Sequence, residues 1–328
     1  MRAHATKVEP YDFFGMPTWR ITTPSGASAV VAERGATLLS WQPRPQREVI
    51  DGYADGDELA GHVGNRSLVM APWAGRIAGG AYSFDGQRYE LPGTDETANF
   101  GGRVADVDFH RVGAKHPLVL RGELPGDQGY PWDSQVTVIF SLERGSKGEE
   151  HLSVVIEVEN TSGEPAPVTL GWHPYLRVPG VTGISNLSLV IPARAKVLAD
   201  SRVIPLPGDS AFAGVSAPVR HDYLGSLKID GSYTYLVPDD DGVVATELRD
   251  PARGTRIVMT QEPSEAPVVH VFTGDGLPRG ARQSIAIEPC SALSDAYNRA
   301  DSAAHLPLAV GETRSLTATL TYIEPAAG

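Results

Sequence analysis

The stretch SQVTVIFSLERGSKGEEHLSVVIEVEN, residues 134–160, decides the fold. Val136, Val138, Phe140 and Leu142 recur at every second position, as do Leu152, Val154, Ile156 and Val158, with Glu157 and Glu159 interleaved. A period of two puts successive side chains on opposite faces of a strand, so each run reads as a strand with one apolar face. The intervening RGSKGEE is polar, contains Gly145 and Gly148, and reads as a hairpin connection. Outward from this pair, further short strands are expected at SNLSLVIP (185–192), GSYTYLVP (231–238), VVATELRD (243–250), TRIVMTQE (255–262), APVVHVFTG (266–274), QSIAIEP (283–289) and SLTATLTYIE (315–324). Turn formers bound each of them, and 35 glycines and 26 prolines are spread along the whole chain rather than gathered in a linker. Short helical turns fit at GDELAG (56–61) and LSDAYNRADSAAHL (293–306). The expected architecture is therefore all-β: one large antiparallel β-sandwich domain spanning residues 1–328.

Composition narrows the functional classes. Of 328 residues, 41% are hydrophobic and 21% charged, the balance of a chain that buries a large core. A net charge of −12 without a basic cluster argues against a nucleic-acid partner. No run approaches the roughly 18 apolar residues of a membrane span, so no membrane partner is expected. Cys290 is the single cysteine, and the opening MRAHATKVEPYDFFG carries no apolar secretory segment, which together suggest a reducing, cytoplasmic setting. There is no H-E-x-x-H, paired C-x-x-C, P-loop or G-x-S-x-G, so no metal or nucleotide cofactor is expected. GDGLPRG (274–280) reads as a turn, and PDDDG (238–242) as a hairpin turn rather than a calcium loop.

Two strands share a design. LGWHPYLRV (170–178) presents His173 before Pro174, and SIAIEPCS (284–291) presents Glu288 before Pro289. Proline lacks an amide hydrogen and pushes its predecessor toward extended backbone, so each ionisable residue is read as held at a strand end, at the rim of a sheet. Two strand ends that happen to be polar would look the same, and a lone buried histidine needs only hydrogen-bond partners. A carboxylate and an imidazole nevertheless suit one chemistry, opening a cyclic sugar hemiacetal, in which the anomeric hydroxyl loses a proton while the ring oxygen gains one.

At this point the chain resembles the aldose 1-epimerase (galactose mutarotase) family, over about residues 20–322. The segments that carry the likeness are GRIAGGAYSFDGQRYELP from Gly75, GYPWDSQVTVIFSL from Gly129, NTSGEPAPVTLGWHPYLRV from Asn160, IDGSYTYLV from Ile229 and AIEPCSALSDAYN from Ala286. The resemblance implies a galactose mutarotase-like supersandwich, with Glu288 as general base on the anomeric hydroxyl and His173 as general acid at the ring oxygen. It also implies that Arg76 and Asp230 hold sugar hydroxyls; Trp172 or Tyr175 would either stack on a sugar face or pack in the core. The family's second histidine, in its N-x-x-H-G segment, is missing from TANFGGRVADVDF (97–109), where Gly101 and Gly102 occupy the corresponding place. Asn99 and Arg103 are candidate replacements; His110 and His116 show no pattern that would place them in a pocket. YLRV after the central histidine departs from Y-F-N-L, so galactose specificity does not follow.

The expected function is an aldose 1-epimerase-like isomerase acting on a free sugar or sugar derivative. An isomerase or lyase on a modified sugar, and a non-catalytic sugar-binding or sensing protein, are the alternatives. The expected partner is a small sugar, with homodimer formation left open.

Overall fold

A computed structural model of the chain describes residues 5–92 and 99–325. The two deciding segments form strands Ser134–Arg144 and Glu150–Asn160, paired antiparallel with Val138 opposite Ile156. Their alternating apolar residues are all buried, as period two requires. Gly148 (φ +87°) takes the left-handed position of the connecting turn, a conformation that glycine reaches without side-chain strain. These strands lie inside a nine-stranded sheet that runs from Val219–His221 at one edge to His110–Val112 at the other.

A second, eight-stranded sheet carries the ionisable residues. Its strands run in the order Phe212–Gly214, Ala193–Val197, Asp230–Leu236, Val268–Phe272, Ile285–Cys290, Gly171–His173 and Leu68–Met70, with Tyr175–Leu176 also pairing with Ile285–Cys290. All its strand pairs are antiparallel. The inner faces of the two sheets meet: Trp172, Val269, Val271, Ile285 and Ile287 belong to the same buried core as Val136, Phe140, Ile156 and Leu320. A four-stranded meander from Lys7 to Gln42 and two short ribbons complete the all-β sandwich. The helix Gly56–Ala60 and the 3-10 turns Ala296–Asn298 and Ala303–His305 fall where helical turns were expected.

Two expectations need correction. Glu288 does not end a strand at a sheet rim; its strand continues through Pro289 to Cys290, and Glu288 stands mid-sheet on the outer face. Proline removes one ladder donor but leaves the extended backbone intact, so the strand tolerates it. PDDDG forms a turn, with Asp239 accepting from the amides of Asp241 and Val243. It joins Asp230–Leu236 of one sheet to Val244–Arg249 of the other, so it crosses between sheets and closes no hairpin.

Candidate active site

Alternation across the eight-stranded sheet builds the site. Trp172 points into the core and its neighbour His173 to the outer face; Val269 and Val271 point in and His270 points out. On the next strand Ile287 points in and Glu288 out, with His270 and Glu288 directly opposite each other in the register. Asp230 and Ser232 share the outer face of the adjacent strand, since Tyr233 between Ser232 and Thr234 is in the core. His173, His270, Glu288 and Asp230 line a cavity of about 220 Å³, walled by Arg76, Phe100, Tyr175, Asn65 and the turn Gly276–Pro278. That is below the roughly 300–1,000 Å³ of drug-sized pockets, so it matches one small ring rather than an oligomer. A hollow of about 1030 Å³ beside Phe212 and Tyr235 is larger but gathers no comparable set of buried titratable groups.

His173 Nε2 stands 3.2 Å from Glu288 Oε1, both side chains almost fully buried. Among the described residues neither His173 Nδ1 nor Glu288 Oε1 has a hydrogen-bond partner. Orphaned buried polar atoms are uncommon and call for an explanation. His270 Nε2 lies 3.0 Å from Asp230 Oδ1, and its Nδ1 lies 2.9 Å from Ser232 Oγ. The Phe100 ring meets His173 edge-on at 5.6 Å, and the Arg76 guanidinium sits 5.0 Å over Phe100.

Burial sets the charges. It pushes Glu288 up to about 7, against the pull of the His270 charge and with help from Asp230. It lowers His173 to about 3, and the His270 charge adds to that effect, so His173 is neutral at physiological pH. Burial alone would lower His270 as well, but the Glu288 charge and the hydrogen bond and charge of Asp230 outweigh it and hold His270 above the ordinary imidazole value. Asp230 is held below the usual carboxylate range because its bond to His270 and that residue's charge outweigh its own burial.

Local structure fixes each wall. Gly75 (φ +68°) brings the backbone against Ser294, where a Cβ would come within 2.8 Å of the Ser294 hydroxyl. The Arg76 amide donates to that hydroxyl at 2.8 Å, and the Ala78 amide to Asp295 Oδ1 at 2.9 Å, so the Arg76 loop is tied to the segment after Glu288. Behind Tyr175, the fully buried Arg66 pairs with Asp51 at 2.6 Å and donates to the Arg279 carbonyl at 2.8 Å. Asp51 also accepts from Ser284, and Arg279 pairs with Glu58. This buried network braces the turn Gly276–Pro278, which sequence reading treated as a turn only.

Of the expected site residues, Glu288, His173, Arg76, Asp230 and Tyr175 converge on the cavity. Trp172 is completely buried in the sandwich core, so of its two readings core packing is the one observed. Asn99 is buried behind Phe100 with its carbonyl accepting from the Trp73 indole, and Arg103 pairs with Asp127; neither lines the cavity. Thr97 and Ala98 of the same stretch lie outside the described residues. Gly101 is also placed differently from expectation: a Cβ there would point at Leu68 Cδ2, 2.4 Å away, and it is the Phe100 ring that fills the space beside His173. Sequence reading missed His270, although its place between Val269 and Val271 put it on the non-core face.

The aldose 1-epimerase family model matches residues 17–321. The chain belongs to the aldose 1-epimerase family. This aldose epimerase-family chain is 27% identical to the uncharacterized protein YihR of Escherichia coli K12 over 241 residues, 72% of each chain. It is also 27% identical over 238 residues to the aldose 1-epimerase of the same organism, covering 69% of this chain and 65% of the relative, slightly under two thirds of its length. In fold it matches a galactose mutarotase-like protein from Clostridium acetobutylicum with a TM-score of 0.78 at 16% identity, over 98% of this chain and 99% of the other.

Among the described residues no group of three or more His, Cys, Asp or Glu side chains is placed to hold a metal ion, and no helix is long and apolar enough to cross a membrane.

Proposed function

We propose that this protein interconverts the anomers of a free aldose or a small aldose derivative, with Glu288 as the base on the anomeric hydroxyl. The observation that carries the reading is the convergence of Glu288, His173, His270, Asp230 and Arg76 on a cavity of one-ring size, with the Glu288 carboxyl buried beside His173. Family membership supports the same reaction class.

The Glu288 carboxylate takes the anomeric proton, the bond from C1 to the ring oxygen breaks, and a C1 carbonyl forms as the ring oxygen gains a proton. Rotation about C1–C2 and reversal of these transfers close the ring on the other face, leaving every group as it began. With its pKa raised to about 7 by burial, Glu288 is well matched to taking and returning a proton near neutrality. Asp230 and Arg76 flank the cavity as holders of sugar hydroxyls, and Tyr175 supplies an apolar wall. His173, neutral and 3.2 Å from Glu288, orients the carboxyl and hydrogen-bonds the ligand.

The test is anomer exchange followed by NMR across free aldoses and sugar phosphates, in wild type and Glu288→Gln. Gln keeps the shape but cannot act as base, so ligand binding should survive while exchange falls by at least about 10²-fold. Binding without exchange in the wild type would make this a sugar-binding protein instead.

A further inference from the structure

The ring oxygen needs a proton, and the residue the resemblance assigns to that step does not carry one to give. A neutral His173 donating its N–H would be left as an imidazolate, far too basic a product near neutral pH. Phe100 occupies the space beside His173 and has no exchangeable proton. The remaining imidazole on this face is His270. It lies on the strand next to Glu288, directly opposite it in the register, so the two side chains stand about 5 Å apart at their Cβ atoms and flank the same ligand.

We infer that His270 is the acid of this site, an imidazolium held by Asp230 and Ser232 that delivers the ring-oxygen proton while Glu288 acts as base. This deepens the anomer-exchange reading and rests on it. As the C1–oxygen bond breaks, one proton passes from the hydroxyl to Glu288 and one from His270 to the ring oxygen, leaving a carboxylic acid and a neutral imidazole. Ring closure returns both. Asp230, 43% exposed at its side chain, is the partner that a ligand oxygen displaces from Nε2, while Ser232 keeps the ring oriented through Nδ1. The charged and titratable groups facing His270 are Glu288 from one neighbouring strand, Asp230 from the other, His173 beyond Glu288, and Arg76 from the loop above. The two carboxylates favour the cation and Arg76 opposes it.

Two measurements test this. In ligand-free protein labelled at histidine, the His270 ring should titrate above 6.5 and fall in Glu288→Gln, while His173 stays neutral down to at least pH 5. In exchange kinetics the wild type should show a bell-shaped pH profile. His270→Gln should lose at least about 100-fold in turnover, together with the alkaline limb, and His173→Asn should keep that limb. A His270 ring titrating at or below 6.5, or an alkaline limb that survives in His270→Gln and vanishes in His173→Asn, overturns the assignment. Failure of the parent reading shows separately, as a wild type that exchanges no aldose at any pH.

Discussion

Phe100 packs its ring edge-on against the His173 imidazole, centroids 5.6 Å apart and planes at 79°, and the Arg76 guanidinium lies 5.0 Å over the Phe100 ring. An apolar ring thus lines the cavity wall beside His173, where an additional proton donor would face a ligand in that cavity. Phe100→His would place an imidazole there at little change in ring position. Exchange of a plain aldose should rise by about tenfold or more, a modest fraction of what one general acid contributes. An unchanged or lower rate, measured by NMR anomer exchange on folded variant, would show that the apolar ring serves the native ligand.

Gly101→His should behave in the opposite way. Gly101 has φ +76°, and its Cβ would sit 2.4 Å from Leu68 Cδ2 and 3.2 Å from Met70 Cγ. A left-handed backbone with a β-carbon and an overpacked satellite core together cost about 2–4 kcal/mol. Chemical denaturation should register that loss, with no gain in exchange. A variant as stable as wild type would refute the packing argument.

The raised Glu288 carboxyl links stability to pH. The unfolded chain ionises this group near 4.5 and the native state holds the proton to about 7. Its favourable contribution is therefore fully present below 4.5 and is lost as pH rises through 7. Above 7 the buried carboxylate costs on the order of 3 kcal/mol relative to its protonated form. Glu288→Gln removes that titration, so its melting temperature should exceed wild type by more at pH 8.5 than at pH 5.5. Equal differences at the two pH values would contradict the burial-driven shift.

The Arg66–Asp51 pair, buried behind the cavity wall, makes a separate prediction. Asp51→Ala would leave the Arg66 guanidinium, 0% exposed at its side chain, without its carboxylate and would also strip Ser284 of its acceptor. Breaking such a buried pair from one side costs about 3–5 kcal/mol. Because Arg279 spans from Asp51 and Glu58 to the Gly276–Pro278 wall, ligand affinity should weaken as well. Denaturant midpoints and ligand titration measure the two effects; a loss below 1 kcal/mol would mean that Arg66 finds another partner.

The strands and the sandwich were legible in the sequence because each rests on local information, and His173 and Glu288 were marked one at a time by their pre-proline contexts. Period two at Val136 to Leu142 and Leu152 to Val158 states that a strand has two unlike faces, and the pre-proline contexts mark two residues whose backbone is extended. Local order cannot say what covers the second face. His270 and Trp172 are each one residue in an alternating strand; the pairing of Val268–Phe272 with Ile285–Cys290 put His270 opposite Glu288, and the packing of the two sheets put Trp172, on Gly171–His173, in the core. The exchange of Gly101 for Phe100 has the same origin, since a positive φ set by the loop decides which side chain enters the cavity. The charges were also tertiary: an imidazole's ordinary value is a property of the residue, but whether burial or a facing carboxylate wins depends on neighbours that the fold supplies. Sequence thus determined the elements and marked two of the ionisable groups, and the cross-strand register decided which groups line one cavity and which charges face each other there.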